Sequence, residues 1–133
     1  MYYLFIPIIV ILFGAITLNL HELSHCIVVW LYGGHVTSYK PYPHIENNRF
    51  RFGCMKYHSD TVNIPEKPLV HLAPIIKALL LLLVWFIVFI FHHTSYWLLI
   101  PIFWELSDIV NWARGYICNT NSDGGKLKRI LNK

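Results

Sequence analysis

The sequence predicts an all-α membrane protein: three transmembrane helices, with a cytoplasmic loop between the first and second that is compatible with a β-hairpin. Three observations carry this expectation. Of 133 residues, 56% are hydrophobic and only 14% charged, where a soluble domain carries about 45–50% apolar and about 25% charged residues. Long apolar stretches recur at lengths near the roughly 20 residues that a bilayer-crossing helix needs. All of the eleven lysines and arginines except Lys77 lie in two segments that alternate with the spans. The length suits one domain covering residues 1–133. Disorder, a nucleic-acid-binding tail and an ordinary water-soluble enzyme are excluded by composition, and no nucleic-acid partner is expected despite the net charge of +4. Cys26, Cys54 and Cys118 are odd in number and share no spacing, so they form neither a disulfide framework nor a thiolate zinc site.

The first span is expected over about residues 2–32. Residues 2–20 hold no charge, and the apolar run resumes at Cys26, interrupted only by His21, Glu22, Ser24 and His25. A cleavable signal peptide fits poorly, because there is no basic leading region and the stretch is too long. Gly33-Gly34 ends the helix, since glycine accepts the left-handed conformation there. In the loop that follows, Arg49-Phe50-Arg51-Phe52 alternates with period two. Residues 36–42 and 49–57 pair as a hairpin turning near Glu46-Asn47-Asn48, its aromatic face resting on the membrane surface, or else the loop is solvated and irregular.

The second span is expected over about 69–91, centred on five consecutive leucines at 79–83. Pro68 suits a first helical turn, Pro74 bends the entry, and Lys77 can snorkel to the interface. The third, about 96–113, carries Glu105, Asp108 and Asn111, and Pro101 predicts a kink in it. An amphipathic soluble helix is the alternative, disfavoured by the nearly unbroken apolar run at 97–104. Lys40, Arg49, Arg51, Lys56 and Lys67 lie in the long loop, and Arg114, Lys126, Lys128, Arg129 and Lys133 in the tail. The positive-inside rule then puts the N-terminus outside and the long loop and C-terminus in the cytoplasm.

His21-Glu22-Leu23-Ser24-His25 is an H-E-x-x-H motif. On a helix, residues i and i+4 share a face, so both imidazoles can reach one metal ion while Glu22 approaches a water on it. Zinc lowers the pKa of bound water to about 7, and a carboxylate can then take its proton. With eight histidines, chance would produce such a match in roughly 0.01 chains of this composition. A hydrogen-bonded cluster of histidines is the non-metal alternative. A catalytic zinc site wants a third protein ligand, and Asp108, Asp123, Glu105 and the other histidines are open candidates.

A membrane-embedded H-E-x-x-H with Asp123-Gly124-Gly125-Lys126-Leu127 downstream resembles the site-2 protease family of intramembrane zinc metalloproteases. The resemblance implies a three-helix core, one Zn2+ per chain, and peptide-bond hydrolysis in transmembrane protein substrates within the lipid bilayer; a PDZ-like insert is a family feature this sequence does not show. It implies His21, His25 and Asp123 as zinc ligands and Glu22 as the catalytic carboxylate. His71-Leu72-Ala73-Pro74 falls where the family often has a small residue before proline. The family's Asn-x-x-Pro element would begin at position 115, which is glycine here. The nearest upstream counterpart is Asn111, a candidate for substrate binding. Two other classes remain open: a zinc protease of another family with Glu105 as third ligand, and a non-catalytic membrane protein that binds transmembrane helices.

Overall fold

The computed structural model describes residues 5–46, 48–60, 62–93 and 95–133. Residues 2–4 of the expected first span, Asn47 in the expected turn and Thr94 in the second connection lie outside these. Helix α1 is Ile6–Leu31. It is followed by strands β1 (His35–Lys40), β2 (His44–Glu46), β3 (Arg49–Arg51) and β4 (Cys54–His58), then α2 (Pro68–Phe91), α3 (Leu99–Cys118) and α4 (Asp123–Leu131). Single 3-10 turns at Ile64–Glu66 and Tyr96–Leu98 lead into α2 and α3.

At 1.5 Å per residue, α1 and α2 extend about 39 and 36 Å. Both are long and apolar enough to cross a membrane. Pro7 and Pro68 sit in their opening turns, where a missing N–H costs nothing. Gly33, at φ +72°, stops α1 as expected. Helix α3 begins and ends later than the expected third span and carries Glu105, Asp108 and Arg114, so length and composition alone do not mark it as a crossing. Pro101 falls in its first turn rather than mid-helix, which removes the reason for a kink.

The loop is a hairpin in two sections. Strand β1 pairs antiparallel with β4, with a register irregularity between Val36 and Ser38. Strands β2 and β3 continue the pairing towards a turn where Asn48 is left-handed, at φ +57°. Residues 41–43 and 52–53 interrupt the ladder, so the single long strand expected over 49–57 is broken at Phe52-Gly53. The inner side of the hairpin lies on the end of α1. Val36, Met55 and Tyr57 pack against a core of Val28, Val29, Ile64, Val70 and Ala73.

Burial is inverted relative to a water-soluble domain. Ile11 is 70% exposed and Leu31 74%, whereas Glu22, His25, His71 and Glu105 are buried, Glu105 to 2%. On α1 every buried residue lies from Thr17 onwards. The polar interior is therefore built where α1, α2 and α3 meet, and α4 closes one end of it.

Candidate metal centre

His21 and His25 stand one turn apart on α1, so their rings project side by side, with centroids 5.3 Å apart. What each ring does with its second nitrogen is set by another helix. His21 Nδ1 is 2.9 Å from Asp108 Oδ1. An ionised carboxylate only accepts, so Nδ1 carries the proton and Nε2 is the free nitrogen. His25 Nδ1–H donates to the Val70 carbonyl at 2.8 Å. That carbonyl is free for a specific reason. In a helix it would bond the N–H four residues on, and residue 74 is proline, which has none. Pro74 thereby supplies the acceptor that orients His25.

Asp123 arrives from the far end of the chain as the first residue of α4. Asp123-Gly124-Gly125 forms a helix start, and the two glycines explain how it docks. A Cβ on Gly124 would collide with the Trp112 carbonyl of α3, so only glycine lets α4 lie this close. Asp123 Oδ2 is 3.2 Å from His25 Nε2 and 3.5 Å from His21 Nε2. Its other oxygen is 3.1 Å from Nδ1 of His71, whose Nε2–H donates to the Pro65 carbonyl at 3.1 Å. Burial pushes against ionisation of Asp123, yet when the ring nitrogens facing it carry protons, hydrogen bonds from His21, His25 and His71 hold its carboxyl far below the usual carboxylate range.

The ligand atoms of His21, His25 and Asp123 all lie within 4.8 Å of one another. With both Nδ1 atoms committed as donors, two imidazole lone pairs and a carboxylate oxygen converge on one point. Positive charge, as ring protons or a metal ion, must sit between them. Donors at about 2.1 Å around a tetrahedral ion stand about 3.4 Å apart, close to the 3.2 and 3.5 Å separations here. The N2O donor set with oriented rings suits a borderline-soft divalent metal, and the three residues named by the resemblance are the three that meet.

Glu22, His25, His71 and Asp123 share a cavity of about 250 Å³ with Arg51, Gly53, Tyr57, Asn121 and Lys126. The backbone at Gly53 passes directly over Glu22. A Cβ there would stand 2.5 Å from Glu22 Oε1 and 2.9 Å from its Cγ. Asn111 is exposed on α3 and does not line this cavity.

The rival third ligands occupy other positions. Asp108 holds the opposite nitrogen of His21. Glu105 accepts from Thr17 Oγ1 at 3.1 Å and from Lys77 Nζ at 3.0 Å. Lys77 does not snorkel: it is turned inward to Glu105 and Asp108. Sequence reasoning left His71 among the open ligand candidates rather than beside Asp123, and it missed Gly53 and the role of Pro74. A lone lysine in one apolar helix and acids three residues apart in another were a legible signal for the Lys77 pairing. No family model, curated protein or solved structure matches this chain.

Proposed function

We propose that this chain is an intramembrane zinc metalloprotease that hydrolyses peptide bonds in or near transmembrane segments of other membrane proteins. The observation that carries the reading is the meeting of His21, His25 and Asp123, from opposite ends of the sequence, beside the carboxylate of Glu22. The resemblance to the site-2 protease family supports the same assignment. Zinc held by these residues supplies Lewis acidity toward the scissile carbonyl and a lowered pKa for water.

The chain's own groups do the rest. Glu22 takes the proton of the attacking water and returns it to the leaving nitrogen. Asp108 and the Val70 carbonyl keep both rings turned, so the ligands need no reorganisation during turnover. His71 engages one oxygen of Asp123 and leaves the other for the metal. A binding-only protein has no physical need for a buried glutamate at this point.

The membrane assignment rests on α1 and α2 being long and apolar enough to span, on their exposed leucines and isoleucines, and on a polar interior of the kind that intramembrane sites carry. Helix α3, lying against both, is the third crossing in this reading. The basic loop and tail lie on the cytoplasmic side, and His25, six residues before the end of α1, sits about 9 Å deep. Water and the scissile peptide reach the site from that side, beside the hairpin and α4.

The test is cleavage of a reconstituted transmembrane substrate by purified protein in detergent. A chelator is expected to abolish it and Zn2+ to restore it. Glu22→Gln is expected to keep stoichiometric metal and lose cleavage, and full cleavage by that variant would overturn the mechanism.

A further inference from the structure

We infer that Lys77 is a positioning residue for the metal site: acting through Asp108, it fixes the His21 ring so that Nε2 faces the metal position. The inference rests on the reading of His21 as a metal ligand.

Three helices contribute to one hydrogen-bonded chain. On α1, Thr17 and His21 are one turn apart. On α3, Glu105 and Asp108 are three residues apart and so share a face. Lys77 reaches between them from α2. Thr17 Oγ1 donates to Glu105 Oε1 at 3.1 Å, Lys77 Nζ to Glu105 Oε2 at 3.0 Å and to Asp108 Oδ2 at 2.9 Å, and His21 Nδ1 to Asp108 Oδ1 at 2.9 Å. Each carboxylate oxygen has its own donor. Side-chain exposure is 12% for Lys77, 2% for Glu105 and 17% for Asp108.

The simplest alternative is a salt bridge that only ties helices together. A buried ion pair is a weak source of stability, since desolvation offsets most of the attraction. The arrangement here does something a tie does not require. Asp108 is shared: Oδ2 accepts from Lys77, and His21 Nδ1 lies 2.9 Å from Oδ1 and 3.1 Å from Oδ2. Without Lys77, Asp108 would keep only the His21 N–H, a single neutral donor that straddles both oxygens, and would lose the charged anchor that fixes its side-chain torsions. The ring it orients would then lose its fixed direction. Partners of this kind behind a ligand typically account for about 10–100-fold in metal affinity.

The experiment uses the full chain in detergent, with Co2+ as the probe. It reads affinity by chelator competition, the visible absorption of the bound ion, and thermal unfolding. Lys77→Met/Glu105→Leu replaces the ion pair by apolar volume and leaves neither charge of that pair alone, while Thr17 Oγ1 loses its acceptor and Asp108 its ammonium donor. It is expected to stay folded, to bind Co2+ about 10–100-fold more weakly and to shift the absorption bands, with Lys77→Arg restoring both. Wild-type affinity and spectrum in the double variant would overturn the inference.

Should that variant not fold, Lys77→Gln and Glu105→Gln decide. Both break the Lys77–Glu105 pair, but only the first frees Asp108, so only the first is expected to loosen Co2+. Equal affinities would overturn the inference. Wild-type protein that takes up neither Co2+ nor Zn2+ would overturn the metal reading as well, so failure of the two ideas is distinguishable.

Discussion

Asp108 and Asp123 both reach His21, from opposite sides of one imidazole. Asp108 lies on α3 in the packed interior, with both oxygens already committed, to His21 Nδ1 and to Lys77. Asp123 opens α4, and only one of its oxygens is engaged by His71. The other faces Nε2 of both motif histidines. The two carboxylates are chemically identical, and they differ only in what saturates them. A carboxylate with both oxygens engaged by nitrogen donors orients a ring, and one with an oxygen left over can bind an ion.

The sharpest way to break that contrast is to remove each acid in turn. Asp123→Ala is expected to lower metal affinity by more than about a hundredfold. Structural zinc sites bind with about 10–16 kcal/mol, one ligand of three represents several of these, and each 1.4 kcal/mol is about tenfold. Cleavage should vanish with the metal. Metal analysis in which Asp108→Ala loses more metal than Asp123→Ala would exchange the two roles. Next in size is Gly53→Val, which sets a branched side chain against Glu22. Cleavage should fall by the roughly 10²–10⁴-fold that a general base contributes, with metal content unchanged. Metal lost along with activity would show instead that the hairpin supports the ligands.

Asp108→Ala should weaken metal by about 10–100-fold, measured by chelator competition, and leave residual cleavage at saturating Zn2+. The smallest effect belongs to Pro74→Ala. The new N–H competes with His25 for the Val70 carbonyl, a loss of about 0.5–1.5 kcal/mol. The variant should bind metal a few-fold less tightly while its thermal stability holds or rises, because α2 regains a hydrogen bond. Unchanged affinity would separate His25 orientation from Pro74.

Much of this was legible in the residues. H-E-x-x-H announces itself because helical periodicity alone puts His21 and His25 on one face. The ends of α1 and α2 follow from Gly33 and Pro68. Asp123 could be selected over Asp108 only through the family resemblance, since nothing in the spacing says which acid folds back onto α1. Helix α4 was hidden because Asp-Gly-Gly has poor intrinsic helix propensity. Docking against Trp112, possible only without a side chain at 124, overrides that preference. Lys77 could snorkel or pair with an acid of α3, and which it does depends on how α2 and α3 are apposed, which is tertiary information. The strand break at Phe52-Gly53 escaped because alternation marks a strand but not the place where it must yield to a neighbour.

Pro74 contributes to the metal centre by subtraction. An imino acid with no reactive atom withdraws one proton donor from a helix, and the oxygen left over becomes part of the scaffold for a histidine on another helix. Position 74 is therefore tuned by what is missing there. Any residue that restores the amide, however conservative in size, changes the electronic surroundings of an imidazole on another helix.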